Sequence, residues 1–411
     1  MKIHTTTMHY VLGKYSNKLL DLDAPRPPDV PEGEPYLPWR LKVMQQEEFW
    51  SYGGIHRLSD TQLAYLAYFN ILGPSTHNTV PQRFILSSKT NSITIVVDRK
   101  FILSASDKEG RQGTISIGCG IANMLTAARF FGLSASIKIL ETKVEFLKPY
   151  QPDQKRYTHF VRVSFSKGIL PSPKDISFLY AMKERKVIRA EWDENIKLSD
   201  LMVLEMKRLI SKRYIGVHLS IITDFQTKQL MAVFQEQSMG TVMNNNDFAL
   251  ELGKWLLPNN SKSTVGIRGS DFGLSYKSGV RFHKGLLRKQ RLQPIEIQNF
   301  AKGEKDIVRS ASGIGVISVE HDTPELRVAA GEGFEDIALY LHLRGYFTSI
   351  HAATTEVDIG TALIKARLMV YNRKDEGRPT VVFVIGQPKI AQDKLRSHSS
   401  RPMIEDIIFR S

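Results

Sequence analysis

The chain has almost no cysteine. Cys119 is the single one, so no intrachain disulfide can form and a disulfide-stapled secreted fold is excluded. Long apolar runs are also missing. Those present, such as Val381-Val382-Phe383-Val384-Ile385, are far short of the roughly 20 residues that span a bilayer. No membrane association is expected. Met1-Lys2-Ile3-His4-Thr5-Thr6-Thr7 carries no apolar signal-peptide segment, so a cytoplasmic location is the expectation. There is no G-x-x-x-x-G-K-[ST], no C-x-x-C and no H-E-x-x-H. Gly331-Glu332-Gly333 opens no dinucleotide fingerprint, because Asp336 fills the third glycine place. The 11 histidines are scattered without ligand spacing, so no metal is expected. No acid–base dyad stands out, and no residue is assigned as catalytic.

What the chain does have is positive charge. Lysine and arginine number 56 against 42 acids, a formal net charge of +14. That balance favours anionic partners: nucleic acid, membrane surfaces or phosphorylated cofactors. The basic residues are mostly dispersed. The densest stretch, Arg281 to Arg291, reads as a solvated loop; a single-strand-binding patch would be longer and interleaved with aromatics, and only Phe282 is near. Nucleic acid is therefore not the expected partner. With 411 residues and 42% hydrophobic content, the chain can form two or three domains, or one large unit built by duplication.

Residues 1–54 read as an extended arm, since Asp23-Ala24-Pro25-Arg26-Pro27-Pro28-Asp29-Val30-Pro31 can be neither regular helix nor central strand. Ser59-Asp60-Thr61-Gln62 is a capping-box pattern. With Leu63, Leu66, Ala67 and Ile71 following, the spacing predicts a helix over 59–72 that Gly73-Pro74 stops. A strand at 92–97, a long apolar helix over 113–131 and strands at 135–140 and 158–165 follow. Further on, helices are predicted over 174–183, 199–210, 228–237, 247–256, 324–344 and 356–371, and strands over 216–222, 315–320 and 380–385. The stretch 258–290, rich in Gly, Ser and Lys, is a loop or lid candidate. Helices and strands alternate, which predicts an α+β or α/β fold with helices covering a sheet. A coarse duplication is visible: each half carries a short helix, a strand, a long helix with small residues and a final strand.

The segment Gly73-Pro74-Ser75-Thr76-His77-Asn78-Thr79-Val80-Pro81-Gln82-Arg83-Phe84 resembles the nitroreductase signature P-S-x-x-N-x-Q-P-W-x-F. Asp98-Arg99, Asp107-Lys108-Glu109-Gly110-Arg111, Ile117-Gly118-Cys119-Gly120 and Glu251-Leu252-Gly253-Lys254-Trp255-Leu256 are similar to the two-repeat, Acg-type branch of that family. Glu184-Arg185-Lys186-Val187-Ile188-Arg189 resembles the R-R-[ST]-x-R element, and Ser400-Arg401-Pro402-Met403-Ile404-Glu405 the C-terminal R-R-P tail. The resemblance covers about residues 55–408. It implies an α+β fold of tandem repeats, residues 55–170 and 171–411, forming an intramolecular pseudo-dimer and hence a monomer. The first half keeps the P-S-x-x-N turn without the paired arginines. The second keeps Arg185 and Arg189 without the turn. A single composite site for flavin mononucleotide (FMN) is the implied result, with NAD(P)H as reductant.

The residue types suit that ligand. A phosphate dianion needs fixed positive charge, and arginine supplies a planar fork of donors. Arg185 and Arg189 share a face if helical; Lys186 and, from the tail, Arg401 are the further candidates. Each arginine has the alternative of a surface ion pair. Ser75, Thr76 and Asn78 carry short polar side chains for a ribityl chain or ring carbonyl; the alternative is plain turn chemistry. His77 reads as a structural hydrogen-bonding histidine. In the family, backbone donors near flavin N5 come from a loop with a G-x-x-x-x-P-[IL] pattern. Gly345-Tyr346-Phe347-Thr348-Ser349-Ile350-His351-Ala352 occupies that place, with Ile350 for the proline, and the N–H groups of His351 or Ala352 are the candidates. The family's Q-P-W is replaced by Val80-Pro81-Gln82, and its hydroxyl between the arginines by Val187. Two readings compete: an oxidoreductase passing hydride from NAD(P)H through flavin to a nitroaromatic or quinone, and a non-catalytic protein that sequesters flavin under a lid.

Overall fold

In the computed structural model, residues 57–168, 171–258, 261–269, 293–390 and 399–409 are described. The arm over 1–54 lies outside them, as do 259–260 and 270–290 of the lid candidate. Helix α1, Asp60–Ile71, starts on the expected capping box: the Gln62 N–H donates to Ser59 Oγ at 3.2 Å and the Ser59 N–H to Gln62 Oε1 at 2.8 Å. Strands β1, Gln82–Ser87, and β2, Ser92–Asp98, follow. Helix α2, Arg111–Phe130, is buried at every residue but Arg129. A helix buried on all sides needs protein on all sides. Its free N-terminal N–H groups are met by Asp107, whose carboxylate accepts from Gln112 N at 3.0 Å and Gly113 N at 2.8 Å. Strands β3, Leu133–Ile139, and β4, Tyr157–Lys167, complete the first half.

Helix α3, Pro173–Glu184, leads to α4, Asp200–Arg213, and strand β5, Val217–Ile222. Then come α5, Phe225–Met243, and α6, Asn246–Trp255; the short strands β6, Leu256–Leu257, and β7, Ile267–Arg268; and α7, Pro294–Ser310. Strand β8, Gly313–Val319, and the buried helix α8, Pro324–His342, follow. Last are β9, Phe347–Ile350, the short α9, Ala353–Glu356, α10, Asp358–Asn372, β10, Arg378–Gly386, and β11, Ile408–Phe409.

The fold is mixed α+β, with two main antiparallel sheets. The first runs β11-β1-β2-β4-β3 and the second β5-β8-β10-β9. Without β11, the two have the same strand order relative to the chain. In each, the long buried helix follows the second strand. Helices α5 to α7 are inserted between the first two strands of the second sheet. Strand β11 crosses back to pair in parallel with β1, Phe84 opposite Ile408.

Helices α2 and α8 cross at glycines. A Cβ on Gly118 would lie 2.2 Å from the Val328 carbonyl oxygen, and one on Gly331 would lie 2.0 Å from that of Ile115. Each glycine thus meets the carbonyl three residues before the other. The contact reads the same from either helix, and only glycine allows backbones so close.

Several expectations need correction. Residues 345–352 are not a free loop: Phe347–Ile350 is a strand paired with β10, Phe383 opposite Ile350. The helix expected over 356–371 is present as α10, Asp358–Asn372, preceded across Val357 by the unanticipated short α9. Strands β1 and β11 and helix α7 were not anticipated. Strand β11 is two residues long and pairs with a segment more than 300 residues away, which leaves little local pattern; β1 forms a hairpin with the neighbouring β2, and α7 is a mixed-charge helix with Pro294 at its first turn. No helix among the described residues is long and apolar enough to cross a membrane.

Candidate functional site

After α1 the chain makes a strained turn. His77, Asn78 and Val80 have φ of +50°, +51° and +48°. Such a conformation costs an L-residue roughly 1–2 kcal/mol, and a β-branched residue is a genuine outlier there. Contacts from three segments hold it. The Val80 N–H donates to Ser75 Oγ at 3.1 Å. Asn78 Nδ2 donates to the carbonyls of Gly266 (3.2 Å) and Ser400 (3.1 Å), and its Oδ1 accepts from Arg401 Nη1 at 2.8 Å. Arg401 Nε also binds the Ile71 carbonyl, 2.6 Å away, near the end of α1. Strain that survives because its surroundings over-determine it is common at functional sites.

Facing this turn is the segment 185–189. It is not helical, which corrects the condition under which Arg185 and Arg189 would share a helical face. Arg185 ends α3 with an extended backbone, Val187 bridges Thr348, and the Ile188 N–H donates to the Thr348 carbonyl at 3.0 Å. Pairing with β9 overrides local helical preference. Arg185 is buried. Its Nη2 donates to the Leu72 carbonyl at 2.9 Å, and its Nε lies 3.0 Å from Glu335 Oε1. Burial pushes the Glu335 carboxyl up, with Arg185 opposing. The guanidinium thus sits in an interior ion pair.

Arg189 is the more exposed arginine. Its Nη1 lies 2.7 Å from Glu304 Oε1, and its Nη2 donates to the Ile350 carbonyl at 3.4 Å. Glu304 comes from α7 and also accepts from Gln235 Nε2 at 2.8 Å and His351 Nδ1 at 2.7 Å. Burial alone would raise its carboxyl. His351, Arg189 and Gln235 outweigh that and hold it at about 2, so Glu304 is anionic at ordinary pH.

The two candidate backbone donors separate. The His351 N–H donates to the Val382 carbonyl at 2.8 Å, continuing the β9–β10 ladder, so it is not available to a ligand. The Ala352 N–H has no hydrogen-bond partner among the described residues.

These groups line one cavity of about 820 Å³. Ser75, Thr76, Asn78 and Arg401 lie on its wall, as do Arg185, Lys186, Arg189, His351 and Ala352. All nine sequence candidates are therefore brought together. Pockets for cofactors and other small ligands span about 300–1,000 Å³. Other wall residues had no sequence signal beyond their place in resembling motifs. Arg111 is paired with Asp322 and Glu356, each at 3.3 Å, and ties the start of α2 to the segments flanking α8. Behind the wall, buried Glu251 accepts from Ala105 N (2.8 Å), Ser106 N (3.0 Å), Ser106 Oγ (2.6 Å) and Ser104 Oγ (3.2 Å), anchoring the loop before α2, whose Ala105 and Ser106 do line the cavity. An apolar part of the wall is built by Phe248 packed with Met239, Val242 and Ala105. Sequence reading missed Glu304 and Phe248; a lone acid in a mixed helix and one aromatic in an apolar stripe are too common to signal a site. Of the lid candidate, Ile267 reaches the cavity, next to Gly266, whose N–H donates to the Asn78 carbonyl at 3.0 Å.

No protein-family model and no curated protein matches the chain. Among solved structures it is similar to the FMN-dependent nitroreductase NfnB from Mycobacterium smegmatis in complex with NADPH. The identity is 10%, over 57% of this chain and 98% of that one, with a TM-score of 0.36. It is also similar to the FMN and NADPH-dependent nitroreductase NfnB from Sphigopyxis sp. strain HMH, at 13% identity over 56% and 97% with a TM-score of 0.36. A third is a BluB-like flavoprotein from Clostridium difficile 630, at 14% over 56% and 97% with a TM-score of 0.32. At such identities and scores, similarity alone carries no weight for what this chain does.

Proposed function

We propose that the chain is an FMN-binding oxidoreductase of the nitroreductase type, a cytoplasmic monomer with one composite site between two fused repeats, residues 55–170 and 171–411. The observation that carries this is convergence. The 75–78 turn, the 185–189 segment, the end of β9 and the tail arginine are remote in sequence and line a single cavity of about 820 Å³. The shared strand order of the sheets and the reciprocal glycine contact of α2 with α8 support fusion of two copies of one unit.

The residues present fit the ligand in charge and in donors. Lys186, Arg189 and Arg401 supply positive charge for a phosphate and for electron-rich ring oxygens. The Ala352 N–H, without a hydrogen-bond partner among the described residues, is the donor left for the ring edge. Arg185 acts from behind, fixing the end of α1 and the turn after it through the Leu72 carbonyl. Asn78, with three protein hydrogen bonds, shapes the wall. Glu304 sets the Arg189 guanidinium by a direct bond. Val187 offers no hydroxyl where the family has one, and Gln82 replaces the tryptophan and is buried at the start of β1. When bound, a flavin supplies the hydride chemistry between NAD(P)H and a nitroaromatic or quinone acceptor.

A second reading is flavin sequestration without turnover. What favours it is the anchoring of 266–268 over the turn: Gly266 to Asn78, and Arg268 Nη2 to Ser400 Oγ at 2.8 Å. Steady-state NAD(P)H oxidation with a quinone separates the two. Turnover by flavin-loaded protein supports the enzyme, and a yellow protein without turnover supports sequestration.

A further inference from the structure

The strained turn carries an imidazole in an unusual setting. His77 lines the cavity and is half-exposed to it, and its φ of +50° is set by the turn. Its Nδ1 is buried with no hydrogen-bond partner among the described residues. Among the described residues no hydrogen bond reaches Nε2. The ring stands 6.4 Å from that of Phe248, tilted by 56°, at the edge of the apolar patch formed with Met239 and Val242. Two charged groups act on it. Glu251 has its oxygens occupied by residues 104–106. Arg189 is tied to Glu304.

Part of the ring is open to the cavity, and protein surrounds the rest. Burial accordingly drives the imidazole down to about 4, with Glu251 opposing and Arg189 adding. At neutral pH the ring is uncharged and carries one proton. A proton on Nδ1 would be a buried donor without an acceptor, the costlier kind of orphan. The proton therefore sits on Nε2, the nitrogen with access to the cavity. A neutral donor beside an apolar wall suits an uncharged, polarised oxygen on a flat ring, whereas an anionic group is drawn to the Arg189 and Lys186 side.

We propose that His77 Nε2–H is the donor that recognises the second substrate, an aromatic acceptor whose ring lies against Phe248 and whose carbonyl or nitro oxygen takes the bond. This rests on the redox reading above. The test uses full-length protein loaded with FMN, a simple benzoquinone as probe, and the variants His77→Leu and His77→Asn. Asparagine tolerates positive φ and keeps a donor. FMN affinity is read by fluorescence, and KM and kcat for the quinone by NAD(P)H oxidation. In wild type, the ¹⁵N shifts of the His77 ring are followed as an unreactive methoxybenzoquinone-like ligand is added to oxidised protein.

His77→Leu is expected to raise the quinone KM roughly tenfold, the value of one hydrogen bond, while FMN affinity moves less than about twofold. His77→Asn should recover most of the KM loss. The ¹⁵N shifts should report an Nε2–H tautomer that responds to ligand. Flavin-loaded His77→Leu with an unchanged KM overturns this assignment alone. Loss of FMN affinity in His77→Leu also overturns it, moving the donor to the flavin. A chain that takes up no flavin overturns the redox reading and this assignment together. Should His77→Leu fail to fold, the ligand response of the wild-type ring decides: an Nδ1–H tautomer, or shifts indifferent to ligand, refutes the proposal.

Discussion

Alanine at Gly118 or Gly331 should destabilise the protein, although the same change at the open helical glycines Gly240 and Gly303 should stabilise it. In an unhindered helix interior, glycine to alanine gains roughly 0.8–1 kcal/mol. Gly240 in α5 and Gly303 in α7 are of that kind, with nothing within 4 Å of an added Cβ. At Gly118 and Gly331 the added carbon meets backbone oxygens at 2.2 and 2.0 Å. Neither helix can yield by a side-chain rotation, so α2 and α8 must part by an ångström or more along a buried seam. Overpacking of this kind costs typically about 1–3 kcal/mol, and a backbone clash belongs at the upper end. After the propensity gain, a net loss of about 1–2 kcal/mol remains. With a urea slope of about 3 kcal/mol/M, the midpoint should fall by roughly 0.3–0.7 M. The losses at Gly118 and Gly331 should be similar, and the double variant should lose less than their sum, because helices parted for one methyl already accommodate the other. Urea titration of full-length protein by fluorescence, with Gly240→Ala and Gly303→Ala alongside, is the assay. If Gly118→Ala raised the midpoint as Gly303→Ala does, the reciprocal seam would be refuted.

Glu332 on α8 is a buried carboxyl raised to about 8 by desolvation, with Arg213 opposing, Asp336 adding and Arg129 opposing. The folded chain keeps a proton that the unfolded chain has released. The stability linked to that proton is present below about pH 4.5 and is lost as pH rises toward 8, by about 5 kcal/mol at most. Glu332→Gln should flatten that fall, gaining most near pH 9 and little near pH 4.5 in denaturant midpoints; a wild-type midpoint that rises over that interval contradicts it. Asn78→Ala removes three hydrogen bonds and puts alanine at φ +51°, so it should cost roughly 2–4 kcal/mol. Asn78→Gly, free of the φ cost, should recover about 1 kcal/mol of it. Equal losses in the two variants would mean that turn strain does not contribute.

What could be read in the sequence was local or compositional. The Ser59–Gln62 cap and the long helix, expected over 113–131 and observed at Arg111–Phe130, were legible because capping and a run rich in small and apolar residues act within a few residues. The nine candidate residues were reached through short motifs whose residue types suit an anionic, planar ligand. Their conformations were not legible. Residues 185–189 are extended because Thr348 pairs with them across the fold. The choice between the His351 and Ala352 N–H groups was decided by a ladder bond to Val382. Phe248 and Glu304 belong to the inserted helices α6 and α7, whose amphipathic patterns mark a buried face but not a ligand site. That Asn78 holds the tail and residues 266–268 together, and that Arg185 pairs inward with Glu335, depends on tertiary neighbours that no motif records.

The central claim is that residues from both halves make one flavin site. Titrating purified full-length protein with FMN, and following flavin fluorescence and the visible absorbance bands, tests it most directly. The account predicts saturable binding of one FMN per chain, weakened roughly tenfold or more in Arg189→Ala and in Arg401→Ala, whose side chains lie 212 positions apart in the sequence. No uptake of FMN at concentrations up to about 100 μM, a Kd limit equivalent to about −5.5 kcal/mol, would contradict it, as would binding that neither substitution alters.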